Sequence, residues 1–106
     1  MGLFDLFRQT DINQGVKVFR STPGATLLDV RSEQEYREGH IPGSKNVPLQ
    51  QLDKVEDVAE NKDRALFVYC YSGARSGQAA AQLRRMGYTN VQNIGGISAY
   101  FGNTDR

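Results

Sequence analysis

The sequence predicts an α/β domain in which a parallel sheet carries helices on both faces. Short apolar runs at residues 25–30, 65–70 and 91–94 alternate with stretches whose apolar residues recur at helical spacing. Strands that alternate with helices pair in parallel through right-handed crossovers. Because 106 residues is close to the usual size of one domain, we expect a single domain over residues 1–106.

The chain begins with a predicted helix followed by a buried strand. Thr10 or Asp11 is placed to cap this helix, whose apolar face consists of Ile12, Val16 and Phe19. A turn at residues 22–24 ends the helix. The apolar run at residues 25–30 then predicts the first strand.

Ser32 and Glu35 form a capping box, in which each side chain can bond the other's backbone N–H. The short helix that they start is expected to end at Gly39. A turn at residues 40–43 and a brief strand at 45–47 follow. The next apolar residues predict another helix, with one face formed by Leu49, Leu52, Val55, Val58 and Ala59.

The second half of the chain has the pattern strand, tight loop, helix, strand. The strand at residues 65–70 ends in Cys70, and a helix is expected over residues 77–86. Residues 91–94 predict a last strand. Gly95 and Gly96 then turn the chain into a short helix that carries Tyr100 and Phe101.

The composition excludes several classes of protein. A net charge of +1 gives no basic stripe for nucleic acid. One cysteine cannot form an internal disulfide, and one cysteine with one histidine excludes a Cys/His zinc cluster. We expect neither a metal nor a cofactor.

The apolar segment at residues 1–10 is expected to pack on the domain through Leu3, Phe4 and Phe7. It has no basic region before its apolar part and no small-residue cleavage site, so it does not resemble a signal peptide. No stretch approaches transmembrane length. We therefore expect a cytoplasmic protein that binds no membrane.

Cys70 is the candidate nucleophile, because ligands of open α/β sheets bind at the carboxyl ends of strands. Loop N–H groups, the N-terminus of the following helix and Arg75 would all favour a thiolate or a bound anion there. No histidine adjoins the loop, so the activation is expected to need no general base. The alternative is a buried cysteine that acts as a small apolar side chain.

Other loop residues have two interpretations each. Arg75 either binds a substrate oxyanion through its planar fork or pairs with an acid such as Asp29 or Glu35 and braces the loop. Gly73 supplies a positive φ or a close backbone approach. Ser72 and Ser76 are candidate donors to an anion, although Ser76 would also serve as a helix cap.

Two residues outside the loop are candidate supporting groups. Asp29, at the end of the first strand, is expected to bond backbone N–H groups or an arginine and to stiffen the site. His40 lies in a turn and is expected to make structural hydrogen bonds. Arg31 is expected to be a solvated charge.

These residues and their order make the chain resemble the rhodanese family of sulfurtransferases over nearly its whole length. Residues 28–36 with 39–48 are similar to the family's N-terminal signature. The segment Cys70-Tyr71-Ser72-Gly73-Ala74-Arg75-Ser76 resembles its active-site loop and helix cap. Residues 87–88 with 91–97 are similar to its C-terminal signature, although Tyr100 stands where the family often has tryptophan.

This resemblance implies a five-stranded parallel sheet and a persulfide mechanism. Cys70 would take the outer sulfur of a small anionic donor such as thiosulfate and pass it to cyanide or a thiol, including a protein thiol. The substrate-binding residues would be Tyr71, Ser72, Gly73, Ala74, Arg75 and Ser76. Because Arg75 is the loop's one cation, the sequence leaves the preferred donor open.

Two other functions stay open at this point. A cysteine-dependent phosphatase or arsenate reductase would have five residues between Cys and Arg, whereas Tyr71 to Ala74 are four. It would also have a histidine where Tyr69 stands. A binding or sulfur-sensing module would keep the fold without turnover, since a fold does not fix a function.

Overall fold

The computed structural model describes residues 11–106, so the predictions for residues 1–10, including Thr10 as a cap, lie outside this range. The strands are β1, β2, β3 and β4, which cover Thr26–Asp29, Lys45–Asn46, Leu66–Cys70 and Val91–Gly96. They form one parallel sheet in the order β2-β1-β3-β4. The predicted α/β class with a parallel sheet is confirmed.

The predicted count of five strands is wrong for the described residues, in which the sheet has four. Within residues 11–106, Ile12–Arg20 before β1 is helical, and a bridge between His40 and Asp105 is isolated and antiparallel. Three apolar runs and the brief strand at residues 45–47 predict these four strands, and the fifth was implied by the family resemblance alone.

Local capping signals account for the first helices. The α-helices of the described range are α1, α2 and α3, which cover Ile12–Arg20, Glu33–Glu38 and Ala74–Arg85. The Asp11 carboxylate caps α1 by accepting the Asn13 N–H at 3.0 Å. The capping box of α2 is confirmed: the Ser32 N–H donates to Glu35 at 3.0 Å, and the Glu35 N–H donates to Ser32 at 3.1 Å.

The helix predicted from Leu49 onward is a 3₁₀ segment, which covers Leu49–Asp57. Gln51 interrupts it with non-helical dihedrals of φ −124° and ψ 29°. A 3₁₀ helix has three residues per turn, which suits apolar residues spaced three apart. That spacing is present in Leu49, Leu52, Val55 and Val58. A second 3₁₀ segment is Ile97–Ala99.

Apolar clusters cover both faces of the sheet, as predicted. Alternate residues of β1 and β3 point to opposite faces, so each strand contributes to both clusters. On one face, α3 and the first 3₁₀ segment pack through Leu52, Val55, Ala79 and Leu83 against Leu28, Val68 and Cys70. On the other face, α1 packs through Ile12 and Val16 against Leu27, Phe67, Tyr69 and Ile94.

Among residues 11–106 no helix is both long and apolar enough to cross a membrane.

A bulge between β3 and β4 lies next to the carboxyl end of the sheet. The register shifts between Val68 and Tyr69, so Val68 lies opposite Asn93 whereas Cys70 lies opposite Gly96. β4 therefore continues to Gly96, beyond the predicted end of this strand. Bulges of this kind redirect side chains beside functional sites.

Candidate active site around Cys70

Cys70 is the last residue of β3 and is almost completely buried, with 1% of its surface exposed. Its Sγ accepts a hydrogen bond from the Gly73 N–H at 3.0 Å. The Ser76 hydroxyl donates to the same sulfur at 3.4 Å. The strand end and the first turn of α3 thus surround the sulfur with neutral donors.

These donors set the ionisation of the thiol. Burial is the largest single effect and raises the pKa of Cys70. The Ser76 hydroxyl and the backbone N–H groups of Ser76, Gly73 and Ser72 outweigh it together, so the pKa of Cys70 is lowered below its ordinary value. Dipoles, not a general base, therefore favour the thiolate.

We expect the alkylation rate of Cys70 by iodoacetamide to rise with pH around a midpoint below about 8.5, the usual value for a thiol. Ser76→Ala should move this midpoint upward, because the thiolate loses a donor. Ser98→Ala, which removes an exposed hydroxyl, is the matched control and should leave the midpoint unchanged. A wild-type midpoint at or above 8.5 would contradict activation by dipoles.

The loop after Cys70 depends on two glycines. Gly73 precedes α3 with a φ of 105°, a backbone conformation that residues with a side chain rarely adopt. A Cβ at Gly96 would overlap the backbone of Tyr71 and Ser72. The Tyr71 carbonyl also accepts the Ser98 N–H at 3.1 Å. The backbone at the end of β4 therefore packs directly against the backbone of the loop.

Asn93 is a site residue that the sequence analysis missed. Its Nδ2 donates to the Gly73 carbonyl at 3.2 Å, and its Oδ1 accepts from the Ser76 hydroxyl at 2.7 Å and from the Gly95 N–H at 3.0 Å. Ser76 is the third residue of α3 and not its cap. Because a hydroxyl has one proton, Asn93, the Gly73 carbonyl at 3.1 Å and the Cys70 sulfur compete for the same donor.

Arg75 makes a two-point ion pair with Glu35. Its Nη1 and Nη2 lie 2.7 and 3.1 Å from the two carboxylate oxygens. The pKa of Glu35 is lowered to about 2, mainly by this hydrogen bond and further by those with Ser32, although burial opposes the shift. Of the two interpretations of Arg75, the pairing with an acid is the one present in this structure. The pair joins α2 to the first turn of α3.

Asp29 is completely buried and binds Arg31, not the loop. Its carboxylate accepts from the Arg31 backbone N–H at 2.9 Å, from Nε at 3.0 and 3.1 Å and from Nη2 at 2.7 Å. The prediction that Arg31 is solvated is wrong, because only 5% of it is exposed. Its guanidinium also donates to the Gly39 carbonyl at 2.7 Å. The pair fixes the connection between β1 and the turn before β2.

His40 has a local role in this structure. Its Nδ1 lies 2.8 Å from the Tyr36 carbonyl oxygen, and its ring stacks on that of Tyr36 with 3.7 Å between centroids. Its backbone pairs with Asp105. Among residues 11–106, no group of three or more His, Cys, Asp or Glu residues is arranged to hold a metal ion.

The other loop residues predicted to bind substrate lie at the surface of the domain. Tyr71 is 54% exposed, and Ser72 and Ala74 are also exposed. The Tyr71 side chain is thus placed to meet a molecule that approaches from solvent. Ser72 contributes its backbone N–H to the sulfur's environment.

With this geometry established, the comparison with protein families is decisive. The model of the rhodanese-like domain matches residues 14–103. The chain belongs to the rhodanese family. This rhodanese domain therefore shares its fold with a group that includes proteins named as sulfurtransferases.

Individual relatives agree with the family match. Thiosulfate sulfurtransferase PspE of Escherichia coli K12 is 38% identical over 71 residues, which are 66% of this chain and 68% of PspE. A solved structure of a rhodanese with anions from E. coli has a TM-score of 0.72 and 32% identity, and the match covers 77% of this chain and 98% of that one.

The family also includes larger proteins with other named activities. A tRNA uridine(34) hydroxylase of Enterobacter sp. strain 638 is 31% identical over 105 residues. The match covers 89% of this chain but only 30% of the hydroxylase. The rhodanese fold alone therefore leaves the substrate open.

Proposed function

We propose that this protein is a sulfurtransferase that carries a sulfane sulfur as a persulfide on Cys70. The observation that supports this most directly is the Cys70 sulfur, which sits among neutral hydrogen-bond donors at 3.0 and 3.4 Å. The single histidine of the chain bonds Tyr36. A thiolate stabilised without a base suits attack on sulfur, which requires no proton transfer to start.

The proposed reaction has two steps. The Cys70 thiolate attacks the outer sulfur of the donor, and the donor's sulfur–sulfur bond breaks, with its electron pair leaving on the remaining fragment. With thiosulfate, that fragment is sulfite. The persulfide then gives its outer sulfur to cyanide or a thiol, including a protein thiol, and Cys70 returns as a thiolate.

Loop N–H groups would stabilise the charge in both steps. A persulfide places its outer sulfur one bond further from β3 than the thiolate, toward the backbone of residues 71–75. Fixed donors at a position where charge develops lower the barrier, because they need no reorganisation during the reaction. Tyr71, Ser72, Gly73 and Ala74 would contribute through their backbone, and Ser76 through its hydroxyl.

Phosphoryl transfer fits this site less well. A phosphatase loop needs an arginine free to grip the phosphate oxygens, whereas Glu35 occupies both terminal nitrogens of Arg75. The four residues between Cys70 and Arg75 also enclose a smaller space than five would.

Mass spectrometry of the intact protein tests the proposal. After incubation with excess thiosulfate or with a low-molecular-weight hydropersulfide, we expect the protein to gain the mass of one sulfur atom. Cyanide should remove this mass and produce thiocyanate. An unchanged mass after prolonged incubation with both donors would refute the proposed function.

A further inference from the structure

Two arginines belong to the site region, Arg75 in the loop and Arg31 close to Asp29. Each forms an ion pair with a carboxylate. Arg75 spans both oxygens of Glu35 at 2.7 and 3.1 Å, and the Arg31 Nη2 lies 2.7 Å from Asp29. The Asp29 pair is buried, whereas the side chains of Arg75 and Glu35 are 37% and 33% exposed. Of the two pairs, the one at Glu35 is therefore open to an approaching anion.

Arg75 lies in sequence between Gly73 and Ser76, which donate to the Cys70 sulfur at 3.0 and 3.4 Å, so its backbone is held close to the nucleophile. The pKa of Arg75 is raised mainly by its hydrogen bond to Glu35, and the charge of Cys70 contributes in the same direction. The donors that lower the pKa of Cys70 most are instead a hydroxyl and backbone N–H groups. The positive charge that could attract an anion to the sulfur is therefore offset by Glu35.

Sulfur donors differ in the charge that they bring to this site. Thiosulfate is a dianion, so the thiolate and thiosulfate together carry three negative charges, which end on the Cys70 persulfide and sulfite. A hydropersulfide, R–S–SH, brings one negative charge or none. Its reaction is Cys70–S⁻ + R–S–SH → Cys70–S–SH + R–S⁻, in which the electron pair of the broken sulfur–sulfur bond leaves on R–S⁻. No further oxidant or reductant is needed.

We propose that Glu35 is a specificity-determining residue, which holds Arg75 and thereby favours hydropersulfide donors over thiosulfate. Repulsion between the thiolate and a donor grows with the donor's charge. An unpaired guanidinium on the loop that surrounds the sulfur would offset that repulsion, but one paired with Glu35 does so only weakly. The inference rests on the proposed function, since it concerns which donor loads Cys70.

Glu35→Gln tests the inference with little change in structure. Glutamine fills the third position of a capping box as glutamate does, so α2 should keep its cap with Ser32. The variant removes the charge that offsets Arg75. We expect the second-order rate of persulfide formation from thiosulfate to rise roughly tenfold, and that from cysteine hydropersulfide to change by less than about twofold. Timed quenching and mass spectrometry give both rates.

Comparing each donor's rate in the variant with its rate in the wild type removes the intrinsic difference in reactivity between donors. The gain with thiosulfate should shrink as salt is raised from low to about 1 M, because ions screen partly exposed charges. Glu38→Gln is the matched control. It removes the same charge from the same helix, but Glu38 is exposed and its carboxylate accepts from Gln34. It should leave both rates unchanged.

The failures of the two proposals are distinguishable. If folded Glu35→Gln, checked by its melting temperature, loads from thiosulfate no faster than the wild type, the specificity role is refuted while sulfur transfer stands. An equal gain in Glu38→Gln would also refute it, because the effect would then come from overall charge. If no donor loads Cys70 in any variant, the proposed function itself is wrong.

Discussion

Cys70→Ser should reduce thiocyanate formation from thiosulfate and cyanide to the rate of the protein-free solution. The protein has one cysteine, so no second thiol can take over. A serine hydroxyl stays protonated at neutral pH, and the donors at Gly73 and Ser76 cannot shift its ionisation far enough to make it a nucleophile. Oxygen also cannot form the persulfide that carries the sulfur between the two steps.

The measurement compares initial rates of thiocyanate formation at equal protein concentration. Unfolding in urea serves as the control, because a hydroxyl in place of a buried thiol changes the polarity of the core cluster that includes Cys70. A folded serine variant with wild-type activity would remove Cys70 from the mechanism.

The strand, loop and helix around Cys70 could be predicted because each has a local cause. The apolar run before Cys70 is buried at every position of β3. Gly73 takes the positive φ that its residue type allows, and Ser32 and Glu35 form the expected box. Local patterns of this kind predict structure well, because the interacting residues are close in sequence and need no tertiary contact to meet.

The parts of the site that could not be predicted depend on the register between strands that are far apart in sequence, or on burial by distant segments. Asn93 reaches Ser76 and Gly73 where a bulge shifts β4, and no local pattern in β4 predicts that shift. Arg31 resembled a solvated charge, because nothing in its sequence shows that the chain from Gly39 onward covers it. Its spacing of two from Asp29 was the available signal, since an acid and a base so close can pair at a strand end.

The early start of α3 has a similar explanation. The pattern predicted a helix from Gly77, but the helix begins at Ala74, directly after Gly73. The first turn, Ala74-Arg75-Ser76, contains no large apolar residue, so apolar periodicity gives no signal for the N-terminal end of the helix. The consequence is functional, because these extra residues bring the N–H groups of the first turn to the sulfur.

Asp29→Ala should have the largest effect on stability, a loss of about 3–5 kcal/mol in the free energy of unfolding. The side chain of Asp29 is completely buried and that of Arg31 is 6% exposed. Removing the carboxylate leaves the guanidinium desolvated, with the Gly39 carbonyl as its remaining hydrogen-bond acceptor among residues 11–106. Urea unfolding measures the change, and a domain of this size has only about 5–15 kcal/mol in total.

Glu33→Ala is the matched control, because it breaks an ion pair with Arg37 at 3.5 Å in which the side chains are 72% and 70% exposed. Exposed pairs at this helical spacing contribute about 0.5 kcal/mol or less. Adding Arg31→Met to Asp29→Ala should recover part of the lost stability, because the unpaired buried charge is then gone. If Asp29→Ala costs no more than Glu33→Ala, the buried pair does not stabilise the fold.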